Sequence, residues 1–137
     1  MKLSALYKKA ESNKIDVDFF NLKSLVALSI PGAVALNPQS IGSVKEEKVI
    51  LAHELGHHFR NSFYDISSTY ELRERQEARA DRWAVENLVP WDELQKAIDS
   101  GHTELYDLAE YFDVTEEFMK RVIKTYKIQG KSIRNEK

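Results

Sequence analysis

The segment His53-Glu54-Leu55-Gly56-His57 holds the residue types that metal-assisted hydrolysis needs, at a spacing that suits it. Two histidines four residues apart lie on one face of a helix, one turn apart, so both imidazoles can reach one ion. Glu54 is offset around that helix. It can approach a water activated by the ion without taking a coordination position, accept the water's proton and pass it to a leaving amine. Three of the chain's four histidines fall between positions 53 and 58. The competing reading is a surface helix with incidental histidines. The apolar run Val49-Ile50-Leu51-Ala52 just before the motif argues instead for a helix that is partly buried.

A catalytic zinc has three protein ligands and an open position. His58 points about 100° away from His57 around the helix, so it is a poor third ligand. A metzincin would have glycine three residues after the second histidine and a third histidine three further on. Arg60 and Phe63 stand there instead. Downstream, Glu77, Ala80, Asp81, Ala84 and Leu88 form one stripe of a later helix, its small residues suited to close packing. Two carboxylates on such a stripe are costly without partners. Glu77 as third ligand resolves the conflict, with Asp81 one turn later holding a ligand histidine by its other ring nitrogen. Glu74 extends the stripe and competes for the ligand place. The alternative is a solvated face on which carboxylates pair with Arg73, Arg75, Arg79 and Arg82, which suits Glu71 and Glu74 better. One Zn2+ per chain is expected. Mn2+ and Fe2+ compete, because geometry and availability decide between them.

The elements that must position these groups are mostly helical. Leu3, Leu6, Tyr7 and Ala10 give a helix over residues 1–13. Residues 25–30 and 33–36 read as short strands about a Pro31-Gly32 turn. Ser43 and Glu46 form a capping box opening the helix that carries the motif, which runs to Phe59. A polar loop follows, then a helix over 69–88 that stops before Pro90. Further helices are expected over 91–98, 103–112 and 116–126, the last capped by Thr115. The fold class is mainly α (α+β), with a short N-terminal sheet. The expected organisation is one domain over 1–128, with a helical hairpin at 103–126 packed on the core and a flexible basic tail at 129–137.

The chain has 137 residues and no cysteine, which excludes disulfides, zinc ribbons and thiol nucleophiles. No apolar run reaches the roughly 18 residues of a membrane span, and the N-terminus turns charged too soon for a signal peptide. The expectation is a cytoplasmic protein without membrane contact. Net charge is −2, so the bulk balance gives no support for a nucleic-acid binder.

His53-Glu54-Leu55-Gly56-His57-His58, followed by Gln76-Glu77-Ala78-Arg79-Ala80-Asp81-Arg82-Trp83-Ala84 and an ending in Leu88-Val89-Pro90, resembles the ImmA/IrrE family of metallopeptidases. The match is strong over 44–95 and looser elsewhere. The resemblance implies a gluzincin-like helical core and an endopeptidase whose substrates are helix-turn-helix repressors, often of mobile elements, cleaved to relieve repression. It carries the ligand role onto His53, His57 and Glu77 and the catalytic role onto Glu54. Asp81 falls where the family has Asn or Asp. Larger members carry a C-terminal sensor domain, for which this chain has no room.

Such a core takes its substrate as an added strand beside the sheet, and Ala33, Val34, Ala35 and Leu36 are the expected edge. Oxyanion stabilisation needs a donor besides the metal, for which Tyr64, Tyr70 and His102 are candidates. Two other functions compete: a non-catalytic, metal-stabilised anti-repressor, and a DNA-binding regulator. The latter rests on the helical pair at 103–126 and the basic stretch after Lys120, and a helical hairpin with a solvated tail accounts for both.

Overall fold

A computed structural model describes residues 1–131. Residues 132–137, most of the expected basic tail, lie outside the described residues. The chain divides into two compact units, Met1–Ala84 and Val85 onward.

The first unit holds α1 (Leu3–Ser12), β1 (Asp16–Phe19), β2 (Ala27–Ile30), β3 (Ala33–Leu36), a 3-10 turn (Pro38–Ser40), α2 (Val44–Phe59) and most of α3 (Tyr70–Leu88). The second holds α4 (Trp91–Asp99), α5 (Leu105–Phe112) and α6 (Glu116–Ile128). The architecture is mainly α with one small sheet, as the hydrophobic patterning predicts.

The sheet forms because Pro31-Gly32 turns the chain back on itself. Gly32 takes φ +86°, which L side chains rarely adopt. The turn sets β2 antiparallel to β3, with Ile30 opposite Ala33 and Ala27 opposite Leu36. Asn37, fully buried, fixes the open end of this hairpin. Its side-chain amide donates to the Leu25 carbonyl at 2.9 Å, and its backbone N–H donates to Val26 O at 2.9 Å.

The strand β1 departs from the sequence reading, which leaves residues 16–19 unassigned. Asp16 and Asp18 are poor strand formers, yet the segment pairs in parallel with β3, Val17 beside Val34. The order is therefore β1-β3-β2. This corrects the expected edge. Ala33, Val34, Ala35 and Leu36 form the middle strand, bonded on both sides, and cannot accept a further strand. The strand bordering α2 at an edge is β2.

Val34 and Leu36 turn inward, and the first unit's core continues through Leu6 and Ala10 of α1 and Leu51, Ala52 and Leu55 of α2. The helices α1 and α2 pack together, joined by a hydrogen bond of 2.6 Å from the Tyr7 hydroxyl to Glu47. Ser43 caps α2 by accepting from the Glu46 N–H at 3.1 Å. Glu46 reaches back one residue further than a standard capping box, to the Gly42 N–H at 2.8 Å.

In the second unit α5 and α6 form the expected helical pair. Asp113 breaks them apart in the left-handed region at φ 55°, and Thr115 caps α6. Leu108, Ala109, Phe112, Phe118, Met119 and Val122 are buried. Tyr126, 2% exposed, donates to Val89 O at 2.7 Å. Among the described residues no helix is long and apolar enough to cross a membrane.

Candidate metal centre

The helices α2 and α3 meet where Gly56 faces Ala80. A Cβ on Gly56 would lie 2.5 Å from the Ala80 carbonyl oxygen and 2.9 Å from its Cα. Glycine at this point of the motif, and alanine at 80, let the two backbones approach. Glu77 lies about one turn before Ala80 and is thereby brought over His53 and His57.

His53, His57 and Glu77 each offer a donor atom within 4.8 Å of the others. His53 Nε2 lies 2.6 Å from Glu77 Oε2, and His57 Nε2 lies 3.3 Å from Glu77 Oε1. The second ring nitrogens point outward. His53 Nδ1 donates to Asp81 at 2.7 Å, and His57 Nδ1 donates to Ser62 O at 2.7 Å. Both rings therefore aim their Nε2 atoms at one place, the orientation a metal site requires. Tetrahedral ligands at zinc–nitrogen and zinc–oxygen bond lengths stand roughly 3.3 Å apart. The His57–Glu77 separation already matches, and the closer His53–Glu77 contact is a hydrogen bond that an ion would replace. The donor set of two imidazoles and one carboxylate fits a divalent transition metal.

The electrostatics follow from these contacts. Burial opposes a charge on His53, but the Asp81 and Glu77 hydrogen bonds prevail and raise its pKa to about 10. Burial likewise opposes ionisation of Glu77. Hydrogen bonds from His53, His57 and Tyr64 outweigh it and hold the carboxyl well below the usual carboxylate range. Burial lowers the pKa of His58, which turns away and donates to Ala33 O at 3.2 Å. It ties α2 to β3, in keeping with its exclusion as a ligand. Glu74 is exposed and stands outside the donor cluster.

Glu54 lies beside the cluster, Oε2 at 3.9 Å from His53 Nε2. Its other oxygen accepts from the Ser29 hydroxyl of β2 at 2.8 Å. Of the three oxyanion candidates, the structure brings Tyr64 to the site. Its hydroxyl donates to Glu77 Oε1 at 2.6 Å, a bond that raises its pKa to about 12 with help from burial. Side chains of α3 fasten the loop that carries it. Arg73 donates to Ile66 O and Ser68 O, and Gln76 to Phe63 O. Tyr70 is exposed at the start of α3, and His102, in the second unit, bonds Asp107 at 2.9 Å.

Two contributors escape the sequence. The Ser62 carbonyl is a backbone group with no residue signature. Ser29 lies inside an apolar strand, and that misplaced hydroxyl is a faint signal.

The model of the peptidase M78 family, described as an IrrE N-terminal-like domain, matches residues 6–124, and the chain belongs to that family. No curated protein matches it. Membership makes the chain a metallopeptidase-type hydrolase with a protein substrate, and its His/His/Glu cluster is compatible with a metal ion.

Proposed function

We propose that this family member is a zinc-dependent endopeptidase that cleaves a helix-turn-helix repressor, with residues 1–128 acting as one peptidase domain. The observation that carries the reading is the convergence of His53 Nε2, His57 Nε2 and a Glu77 oxygen, with the Glu54 carboxylate alongside.

In this reading His53, His57 and Glu77 hold the ion, and Asp81 and the Ser62 carbonyl keep the two rings in orientation. Bound there, a zinc ion would supply Lewis acidity toward a peptide carbonyl and would lower the pKa of water. Glu54 accepts the proton of the attacking water and hands it to the departing amine. Tyr64 donates to the carbonyl oxygen as negative charge develops on it. The substrate strand pairs with the free edge of β2 rather than with Ala33–Leu36. Specificity for a helix-turn-helix repressor rests on the family resemblance.

The test is elemental analysis of the purified protein beside Glu77→Ala, followed by cleavage of purified repressors mapped by mass spectrometry. About one zinc per wild-type chain and a sharp loss in the variant are expected. Glu54→Gln should keep the metal and the partner and abolish cleavage. A folded wild type that takes up no zinc overturns the mechanism. Derepression that survives Glu54→Gln would replace proteolysis by sequestration.

A further inference from the structure

Ser29 occupies an unusual place on β2. Val34, its partner across the hairpin, is 2% exposed and faces the core. Cross-strand partners share a face, so the Ser29 side chain also points inward, toward α2. Leu28 and Ile30 point the other way and are 47% and 56% exposed. Ser29 thus places a hydroxyl where the strand's pattern calls for an apolar side chain. Its partner there is the carboxylate of Glu54, at 2.8 Å, with the Glu54 main-chain oxygen further away at 3.3 Å. A hydroxyl has one proton, and the shorter contact takes it.

The backbone of Ser29 faces elsewhere. Asn37 N–H donates to Val26 O, which fixes the phase of the antiparallel ladder. Bonded and non-bonded pairs alternate along such a ladder. Leu28 and Ile30 therefore direct their N–H and C=O groups to β3. Ala27 and Ser29 direct theirs to the free edge, where β2 has no neighbour among the described residues. One residue presents its main chain to an incoming strand and its side chain to Glu54.

We propose that Ser29 is a positioning residue that holds the Glu54 carboxylate in its proton-accepting orientation and couples that orientation to strand pairing at the β2 edge. The inference rests on the reading of Glu54 as base. A free glutamate side chain samples several rotamers. The Ser29 bond selects one of them, and a substrate strand on the same residue immobilises the donor just when the base is needed. A hydrogen bond to a charged group is worth enough to shift occupancy by about tenfold or more.

The probe is acetohydroxamate, a small metal-chelating acid whose acidic proton needs a carboxylate acceptor beside the metal. Its affinity is measured by calorimetry on zinc-loaded wild type, Glu54→Gln, Ser29→Ala, and the isosteric pair Ser29→Thr and Ser29→Val. Zinc content and melting temperature are recorded for each. Thr and Val share shape and strand propensity and differ in the hydroxyl, which keeps the comparison valid if Ala perturbs the strand. The expected result is a large loss for Glu54→Gln and about a tenfold loss for Ser29→Val and Ser29→Ala at unchanged zinc content. Ser29→Thr should stay within about twofold of wild type. Equal affinity for the Thr and Val variants, with Glu54→Gln still weak, overturns the role of Ser29 and leaves the base intact. Wild-type affinity in Glu54→Gln overturns the base, and Ser29 with it.

Discussion

Gly56→Ala tests whether the approach of α2 to α3 builds the metal centre. The added methyl would sit 2.5 Å from Ala80 O, where ordinary contact begins at 3.4 Å, so the helices must part by about 0.9 Å. Overpacking of this kind costs about 1–3 kcal/mol. Replacing a mid-helix glycine by alanine returns about 1 kcal/mol of helix propensity. The net destabilisation is therefore about 1 kcal/mol, and the melting point should fall by a few degrees. Metal binding is far less tolerant, because ligand distances must hold to about 0.2 Å. Parting the helices carries Glu77 away from both histidines by several times that tolerance. Zinc affinity, measured by competition with a chromophoric chelator, should drop by about a hundredfold or more while the fold survives. Near wild-type affinity in a folded Gly56→Ala protein would refute the argument, since Glu77 would then be placed independently of the helix contact.

Three further outcomes follow from other contacts. Asp81→Ala should lower zinc affinity by about 10–100-fold in the same competition assay, because His53 loses the acceptor that fixes its ring. Tyr64→Phe should lower kcat on a cleavable repressor by about a hundredfold or more, with KM and zinc content little changed, if its hydroxyl serves the oxyanion. Tyr126 is held neutral, its pKa raised to about 12 by burial and by the Glu86 and Asp92 carboxylates. Its contribution to stability is complete below about pH 10, the ordinary tyrosine value, and is lost as pH rises from there to about 12. In urea titrations, Tyr126→Phe should cost about 1 kcal/mol at pH 8 through the lost bond to Val89 O and should lack that alkaline slope.

The parts legible in the sequence depend on local rules. The His53–His57 spacing, the Ser43 cap and the Glu77–Asp81 stripe are each fixed within a turn or two of helix, and spacing alone reveals them. Small residues at 80 and 84 mark the packed side of α3, but Glu74 extends the same stripe, and it is the fold that leaves Glu74 exposed and outside the donor cluster. What stayed hidden depends on contacts between distant segments. Asp16–Phe19 becomes a strand because β3 pairs with it, against the preference of its aspartates. That single long-range pairing turns Ala33–Leu36 from an edge into a centre and passes the edge to β2. Spacing does not rank Tyr64, Tyr70 and His102; Tyr64 comes beside Glu77 through a loop fastened by the Arg73 and Gln76 bonds, which are contacts across segments.

The placement of the donors along the chain also bears on how the site comes into being. Every donor and its direct supports, from His53 to Asp81, lies on two consecutive helices and the loop between them, so loop closure is short and its entropic cost small. Synthesis delivers Asp81 before any of α4, α5 or α6 has left the ribosome, and chains fold from the N-terminal side as they emerge. All the residues that furnish the candidate donor cluster therefore emerge before the helices of the second unit.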